Sequence, residues 1–499
     1  MPPPTILLPR ALSDHIVLGR TDGDDVSATS SSQQEHHHGE ELEAGSSEII
    51  CIHLLDNHSL PDEEDQQQSP ESRRRRSMKD VVSFVINANR FVPSRDDGDR
   101  VVYSRTLSSM PNIPQAMNDI DVSFIEKGLK LGGALSDGAR VSAIDIKPLS
   151  LNGFLSDVGR CHITYEGVVD NDEDGTTPTP PARLVIKLAG AQSEAGEEIA
   201  RENNLYHMEA EFFRKFAEYA SVGTPHCYAA FEDSKFGNVI LLLEDLQDRD
   251  GLYFVNQLEG IRRKEMMDMA VSLSALHAQH WSWEGAAGLP AWLPHCTDIT
   301  IRNPCNPAHM EKYLSSAFVD EAHCASRGVG GEVRKACLQI TERADEIREA
   351  MKRGALTLCH NDARSDNVFF GDRSGAPGGV VLLDWQIMST GVGAADLAFV
   401  ASNSVTDEPP SEARDKAYVK AYWESLTSRG VDSDRYSFDA CWHDYLLGIA
   451  WTYACLTVFI EFGEAEQMLE DPLCRAMHDR SMLAVEGLRV HELETFERH

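Results

Sequence analysis

The sequence predicts an α+β, two-lobed body in which a small antiparallel sheet with one main helix precedes a larger, mostly helical lobe. Three observations carry this expectation. Short strand-type runs crowd between Ser142 and Glu244 around a single long helical stretch. Helical periodicity dominates after Asp245. That helical half is interrupted between Leu356 and Asp384 by two strand-type runs joined by a turn. With 499 residues and a 42% hydrophobic share, the chain holds enough apolar material for such a body.

Residues 1 to 115 carry Ser30 to Ser32, His36 to His38, an acidic cluster near Glu63, Gln66 to Gln68 and Arg73 to Arg76. That mixture is too polar to offset the entropy of ordering its backbone, so the region is read as mostly disordered, acidic and of low complexity. Two apolar stretches in it, Ile49 to Leu55 and Val81 to Val92, are candidates to dock on the folded body. Arg73 to Ser77 reads as a solvated charge run, with a basic phosphorylation or localisation signal as its alternative. His36 to His38 lacks further ligands at metal-binding spacing.

The smaller lobe is expected over residues 118 to 246. Asp121 to Leu131 has helical spacing behind a capping aspartate. Strand-type runs follow at Ser142 to Leu151, Arg160 to Val169 and Arg183 to Ala189, the last two joined by the acidic, Pro-rich loop Asp170 to Pro181. Glu194 to Tyr219 reads as one long helix, with Leu205, Met208, Phe212, Phe213, Phe216 and Tyr219 mostly three or four apart. His226 to Glu232 and Asn238 to Glu244 complete a sheet braced by that helix. Residues 247 to 499 form the helical lobe, with helices at Leu258 to Trp281, Pro307 to Ala322, Glu332 to Lys352 and several from Pro410 onward.

The balance of 46 basic against 80 acidic residues gives a formal charge of −34. Such a field opposes wrapping a nucleic-acid backbone or lying on an anionic membrane, so neither partner is expected. The 11 cysteines are scattered without a Cys-x-x-Cys pair, which favours a reducing, cytoplasmic setting. Met1 to Arg20 lacks the pattern of a secretory signal. The nearly uncharged run Tyr445 to Ile460 is shorter than the roughly 20 residues a spanning helix needs, so a buried helix is expected.

The chemistry concentrates in Leu356-Thr-Leu-Cys-His360-Asn-Asp362-Ala-Arg364-Ser-Asp366-Asn367-Val-Phe-Phe370 and in Val380-Val-Leu-Leu-Asp384-Trp-Gln386. Val368 to Phe370 and Val380 to Leu383 should pair antiparallel across a Gly- and Pro-containing turn. Asn367 opens the first strand and Asp384 closes the second, so the hairpin brings both side chains to one end. Their oxygen donors suit Mg²⁺, which would also hold nucleotide phosphates. Asp362, five positions before Asn367, is placed to orient an acceptor hydroxyl, and Arg364 to offset charge on a transferring phosphoryl group. His360 reads as a brace of the loop. A lone Asp or Asn at a strand end is more often a cap than a ligand, but this ordered set is far less easily an accident.

This stretch resembles the catalytic and metal-binding loops of the protein-kinase-like small-molecule kinases, with the nearest likeness to aminoglycoside phosphotransferases and the ecdysteroid kinase-like, or CHK kinase-like, group. Those families typically read His-Gly-Asp with a later Asn, then Ile-Asp followed by an aromatic residue and often Gln. Here Asn361 stands in the glycine's place, as choline and ethanolamine kinases tend to have it, whereas Asp384-Trp385-Gln386 and Asp396-Leu-Ala398 favour the first group. The resemblance covers roughly residues 118 to 470 and implies a bilobal protein-kinase-like fold with ATP and Mg²⁺ between the lobes.

It further implies that Lys187, a lone charge in Leu184-Val-Ile-Lys187-Leu, grips the phosphates and is held by Glu209, with Glu211 as the alternative. A snorkelling edge lysine is the bland reading of Lys187. Asn152-Gly153-Phe154-Leu155-Ser156-Asp157-Val158-Gly159 stands where a loop covers the phosphates, and Gly153, Phe154, Ser156 and Gly159 are its candidates. Glu244, Asp245 and Leu246 resemble the segment joining the lobes, where the backbone receives adenine while the two acidic side chains face solvent. Asp396 is expected to support the catalytic loop from a helix start, and His277 and His280 to pack in the core rather than share a metal.

The acceptor is expected to be a hydroxylated small molecule. Its pocket is expected among the C-terminal helices, where Trp442, Tyr445, Trp451 and Tyr453 lie near Asp444 and Glu461, although core packing explains those aromatics as well. Peptide phosphorylation is not expected, because Asp384-Trp-Gln replaces Asp-Phe-Gly and no Ala-Pro-Glu segment follows. The rival from another class is an inactive nucleotide-binding scaffold.

Overall fold

A computed structural model describes residues 113–149, 155–168, 179–190, 194–233, 237–285, 289–299, 306–371, 376–462 and 470–498. The tail features His36 to His38, Ile49 to Leu55, Arg73 to Ser77 and Val81 to Val92 lie outside them, as do Gly153 and Phe154 and most of the loop Asp170 to Pro181.

The smaller lobe begins with helix α1 (Val122–Leu131), where the Asp121 carboxylate accepts the Phe124 amide at 2.8 Å. Strands β1 (Arg140–Pro148), β2 (Ser156–Glu166), β3 (Arg183–Ala189), β4 (Cys227–Asp233) and β5 (Asn238–Glu244) form an antiparallel sheet in the order β1-β2-β3-β5-β4. Side chains alternate across it. Leu184, Ile186 and Leu188 face an apolar cluster with Phe124, Ile125 and Leu129 of α1. Val185 and Lys187 therefore face the other way.

On that other side lie α2 (Glu194–Glu202) and α3 (Leu205–Lys215). The sheet is thus braced on both faces rather than by one helix alone. The single helix expected from Glu194 to Tyr219 is broken, because Asn204 takes the left-handed conformation at φ 54° and the Asn203 side chain bonds back to the Ile199 carbonyl at 2.9 Å. Asparagine tolerates that conformation better than most residues and competes for backbone groups.

A turn, Leu246–Asp248, and the short strand β6 (Tyr253–Phe254) lead into the helical lobe. Its helices are α4 (Arg263–Gln279), α5 (Pro307–Ala317), α6 (Glu321–Ser326), α7 (Gly331–Glu342), α8 (Ala344–Met351), α9 (Gly393–Ser404), α10 (Glu412–Ser428), α11 (Phe438–Phe462) and α12 (Pro472–Gly487). Two expected helices are split. Asp320 caps a fresh start by accepting the His323 amide at 2.9 Å, and Arg343 leaves helical geometry between α7 and α8.

Helix α11 packs along α9, and the approach is close at Gly448, where a Cβ would lie 2.6 Å from the Ala395 α-carbon. Strands β7 (Thr357–Cys359) and β10 (Ser389–Gly391) pair antiparallel, while β6, β8 (Val368–Phe370) and β9 (Val380–Leu382) form a second small sheet. Among the described residues no helix is long and apolar enough to cross a membrane.

Candidate active site

The loop between β7 and β8 holds His360, Asn361, Asp362 and Arg364 in fixed places. Asn361 stands at φ 66°, a left-handed backbone that glycine adopts freely and asparagine tolerates. Its side chain makes the position stable by donating to the carbonyl of Ile387 at 2.9 Å and to Ser389 Oγ at 2.8 Å. His360 is fully buried; its Nε2 bonds the Leu383 carbonyl at 2.8 Å and its Nδ1 receives the Asp362 amide at 3.1 Å. One ring nitrogen donates and the other accepts, as a neutral imidazole requires, and burial pushes its pKa below the usual histidine value. The bracing role expected of His360 is what the geometry shows.

Asp396, in the first turn of α9, accepts the backbone amides of His360 at 2.6 Å and Asn361 at 2.8 Å. Burial works against its charge, but the bonds from His277 and the His360 amide outweigh that, so its carboxyl stays below the usual range. His277 Nε2 lies 3.3 Å from Asp396 and its Nδ1 lies 2.9 Å from the Tyr422 hydroxyl. His277, Cys359 and Asp396 cluster closely, yet both ring nitrogens of His277 and both oxygens of Asp396 already have partners, which fits a brace better than a metal site. His280 instead meets Phe216 edge-on at 5.8 Å.

Sequence reasoning missed Gln257. It is fully buried, and its Oε1 accepts the Ser365 amide at 3.0 Å and the Ser404 hydroxyl at 3.0 Å, while its side-chain Nε2 donates to the Asn403 carbonyl at 3.0 Å and its backbone N–H donates to Asp366 Oδ1 at 2.8 Å. A lone glutamine in a loop carries no periodic or motif signal.

The β8–β9 register, Val368 opposite Leu382, sets Asn367 beside Leu383, whose amide donates to the Asn367 carbonyl at 2.8 Å. Asn367 and Asp384 therefore come to one end of the hairpin as expected. The Asn367 amide nitrogen bonds Asp362 twice, to its carbonyl and to Oδ2, each at 2.9 Å, which leaves the amide oxygen as a donor for a cation. Arg364 Nε lies 3.8 Å from Asp362 Oδ1, an ion pair beyond hydrogen-bond reach, and among the described residues this buried nitrogen has no hydrogen-bond partner.

Lys187 crosses from the sheet to this loop. Its ammonium lies 2.8 Å from Asp384 Oδ1 and 2.8 Å from Glu209 Oε2. Burial disfavours the charge, but the two carboxylates outweigh it and raise the lysine's pKa. Asp384 is held below the usual carboxylate range despite burial, chiefly by Lys187, while burial and Asp384 push Glu209 up. Of the two expected glutamates, Glu209 meets the lysine; Glu211 turns to Arg214 and Lys215. An edge lysine snorkelling to solvent is excluded by this geometry.

The connecting segment corrects one expectation. Asp245 does not face solvent: its side chain is 2% exposed and pairs with Arg160 Nε at 2.6 Å, because β2 and β3 project Arg160 and Arg183 toward it. Glu244 is also engaged, accepting from Arg249 Nε at 3.0 Å and from the His226 amide at 2.9 Å. Leu246 is buried and opens the turn. Both acidic side chains are spent internally, which leaves the local backbone to meet a ligand.

Ser156, one of the two described candidates of the predicted phosphate loop, stands at the head of β2 and accepts from the Gln386 side chain at 2.7 Å. Gly159 lies inside β2 opposite Ile186, and a Cβ there would touch Ile146 and Met117. It faces the α1 side of the sheet and not the face of Lys187, which removes it from the phosphate candidates.

The aromatic wall expected for the acceptor is core. Tyr445, Trp451 and Tyr453 are buried, and Asp444 is closed off by Arg498 and the Tyr436 hydroxyl. Helix α11 is apolar on nearly every side and lies among α8, α9 and α12, so its rings fill the interior. Trp442 stacks on Tyr445 at 5.5 Å with Lys416 over its face. Glu461 falls outside the described side chains.

A sheet-based lobe and a helical lobe, tied by the Lys187, Glu209 and Asp384 ion pairs, define a bilobal protein-kinase-like chain. The chain belongs to the ecdysteroid kinase-like family, whose family model matches residues 150–430. No curated protein matches it. Among solved structures it is similar to choline kinase from Cryptosporidium parvum Iowa II at 12% identity, covering 69% of this chain and 89% of that one with a TM-score of 0.40. It is similar to the amicoumacin kinase hAmiN in complex with AMP-PNP, Ca²⁺ and Ami at 12% identity, covering 68% and 87% with a TM-score of 0.38. An aminoglycoside phosphotransferase from Alicyclobacillus acidocaldarius is similar at 10% identity, covering 70% and 94% with a TM-score of 0.32. These likenesses are distant, and the membership rests on the family model.

Proposed function

We propose that this chain transfers the γ-phosphoryl group of ATP to a hydroxyl of a small-molecule acceptor, with Mg²⁺ as the metal. The observation that carries the reading is the convergence of Lys187, Asp362, Asn367 and Asp384 at one end of the β8–β9 hairpin. The residues fit a hard cation, since the Asn367 amide oxygen and the Asp384 carboxylate are oxygen donors. Mg²⁺ bound there would neutralise charge on the phosphates.

The side chains do the rest. Lys187, fixed by Glu209, meets the phosphates as a positive charge. Asp362, anchored by Asn367 and by the His360 bond to its amide, orients the acceptor O–H and takes its proton as the oxygen bonds to phosphorus and the bond to the ADP oxygen breaks. Arg364, whose Nε beside Asp362 has no hydrogen-bond partner, stabilises charge on the group in flight. All nine described cysteines are buried, and a reducing, cytoplasmic setting is part of this reading.

The test is ATP turnover against a panel of hydroxylated small molecules, wild type beside Asp362→Ala. A phosphorylated product whose rate falls by about 10²- to 10⁴-fold in the variant is expected. Nucleotide binding without product from any acceptor, or a product rate that the substitution leaves alone, favours the inactive scaffold.

A further inference from the structure

The lobes are joined next to the Lys187–Asp384 pair by a second, neutral contact. Ser156 pairs with Ala189 and Val158 pairs with Lys187, so Ser156 and Lys187 stand on the same face of the sheet. Asp384 and Gln386 are two apart on the facing loop, with Trp385 between them turned into the core against Phe212. The result is two parallel ties, an ammonium on a carboxylate and a side-chain amide on a hydroxyl, at 2.8 Å and 2.7 Å. Gln386 is 5% exposed, so its amide is largely shielded from water.

A serine hydroxyl has one proton to give and lone pairs to receive. When Gln386 donates into a lone pair, the Ser156 proton is left to point elsewhere, and on this face of the sheet the neighbouring cation is the lysine read as phosphate-binding. We propose that Gln386 is a positioning residue for the nucleotide: by donating to Ser156 it fixes that hydroxyl as a hydrogen-bond donor to a phosphate oxygen and ties the head of β2 to the Asp384 loop. The role rests on the phosphotransferase reading above. Gln386 touches the phosphates only through Ser156.

The test is a double-mutant cycle on the full chain, with AMP-PNP and Mg²⁺ as the probe and affinity read by calorimetry. Ser156→Ala and Gln386→Ala should each weaken binding about 3- to 10-fold, the worth of one hydrogen bond. The double variant should bind no worse than the weaker single, because both changes remove the same contact. Gln386→Met, which keeps the volume without the amide, serves as the companion if Gln386→Ala does not fold, and melting temperatures identify that case. Effects that multiply in the double variant overturn the role and leave the phosphotransferase reading standing. A wild type that binds no AMP-PNP overturns that reading and this role with it.

Discussion

Phe212 and Trp385 stack face to face, with ring centroids 3.6 Å apart and planes 7° from parallel, and both side chains are fully buried. The contact joins α3 to the loop carrying Asp384, and the Trp385 amide adds a bond to Glu209 at 3.3 Å. One helix thereby fixes both the glutamate that holds Lys187 and the tryptophan next to Asp384, so the two halves of the site cannot shift independently.

Removing that ring should be felt in both stability and binding. Phe212→Ala is expected to cost about 3–5 kcal/mol in denaturant unfolding, the usual range for an aromatic deleted from a core. ATP affinity should fall with it, since α3 carries Glu209.

Lys187 separates two carboxylates. Lys187→Met should lower activity by about 10²-fold or more and leave Glu209 and Asp384 facing each other without a cation. Their folded-state pKa values then rise above the unfolded ones, so the folded form binds more protons. The variant's deficit against wild type should therefore be largest at pH 7 and shrink as pH falls toward 5, which melting curves across that range will read.

Asn361 separates backbone strain from side-chain bonding. Asn361→Gly keeps the positive φ without strain but loses the bonds to Ile387 and Ser389, whereas Asn361→Ala loses the bonds and adds strain. Equilibrium unfolding should rank alanine below glycine by about 1–2 kcal/mol.

Shielded histidines set the acid limit, His360 and His478 buried and His280 half-buried. Burial lowers His280 to about 4 and His478 to about 3, and holds His360 below its usual value. Below pH 6.5 the unfolded chain takes up protons that the folded chain refuses, so stability falls as pH drops from 6.5 toward 4. Each such histidine contributes up to about 1.4 kcal/mol per pH unit in that window. His478→Met should flatten the slope of melting temperature against pH.

The part of the candidate site around the β8–β9 hairpin was legible because its signals are local. His360 to Asn367 and Val380 to Gln386 each lie within a few residues, and a two-stranded hairpin has one register that brings Asn367 and Asp384 together. Lys187 was legible as a charge in an apolar strand. What escaped depended on tertiary contact: Gln257 reaches Ser365 and Ser404 across more than 100 residues of chain, and Asp245 is buried only because Arg160 and Arg183 arrive from neighbouring strands. The rings of α11 read equally as wall or core, and only the position of α9 against them decides for core. Helix ends were missed where single residues, Asn204 and Asp320, redirect the backbone.

The most direct measurement is the Mg²⁺ dependence of ATP affinity in wild type and in Asp384→Ala. Tighter ATP binding with Mg²⁺ in the wild type, and no gain from Mg²⁺ in the variant, is the predicted result. An Mg²⁺ enhancement that survives Asp384→Ala unchanged would contradict the assignment of the hairpin end as the metal-binding side of the site.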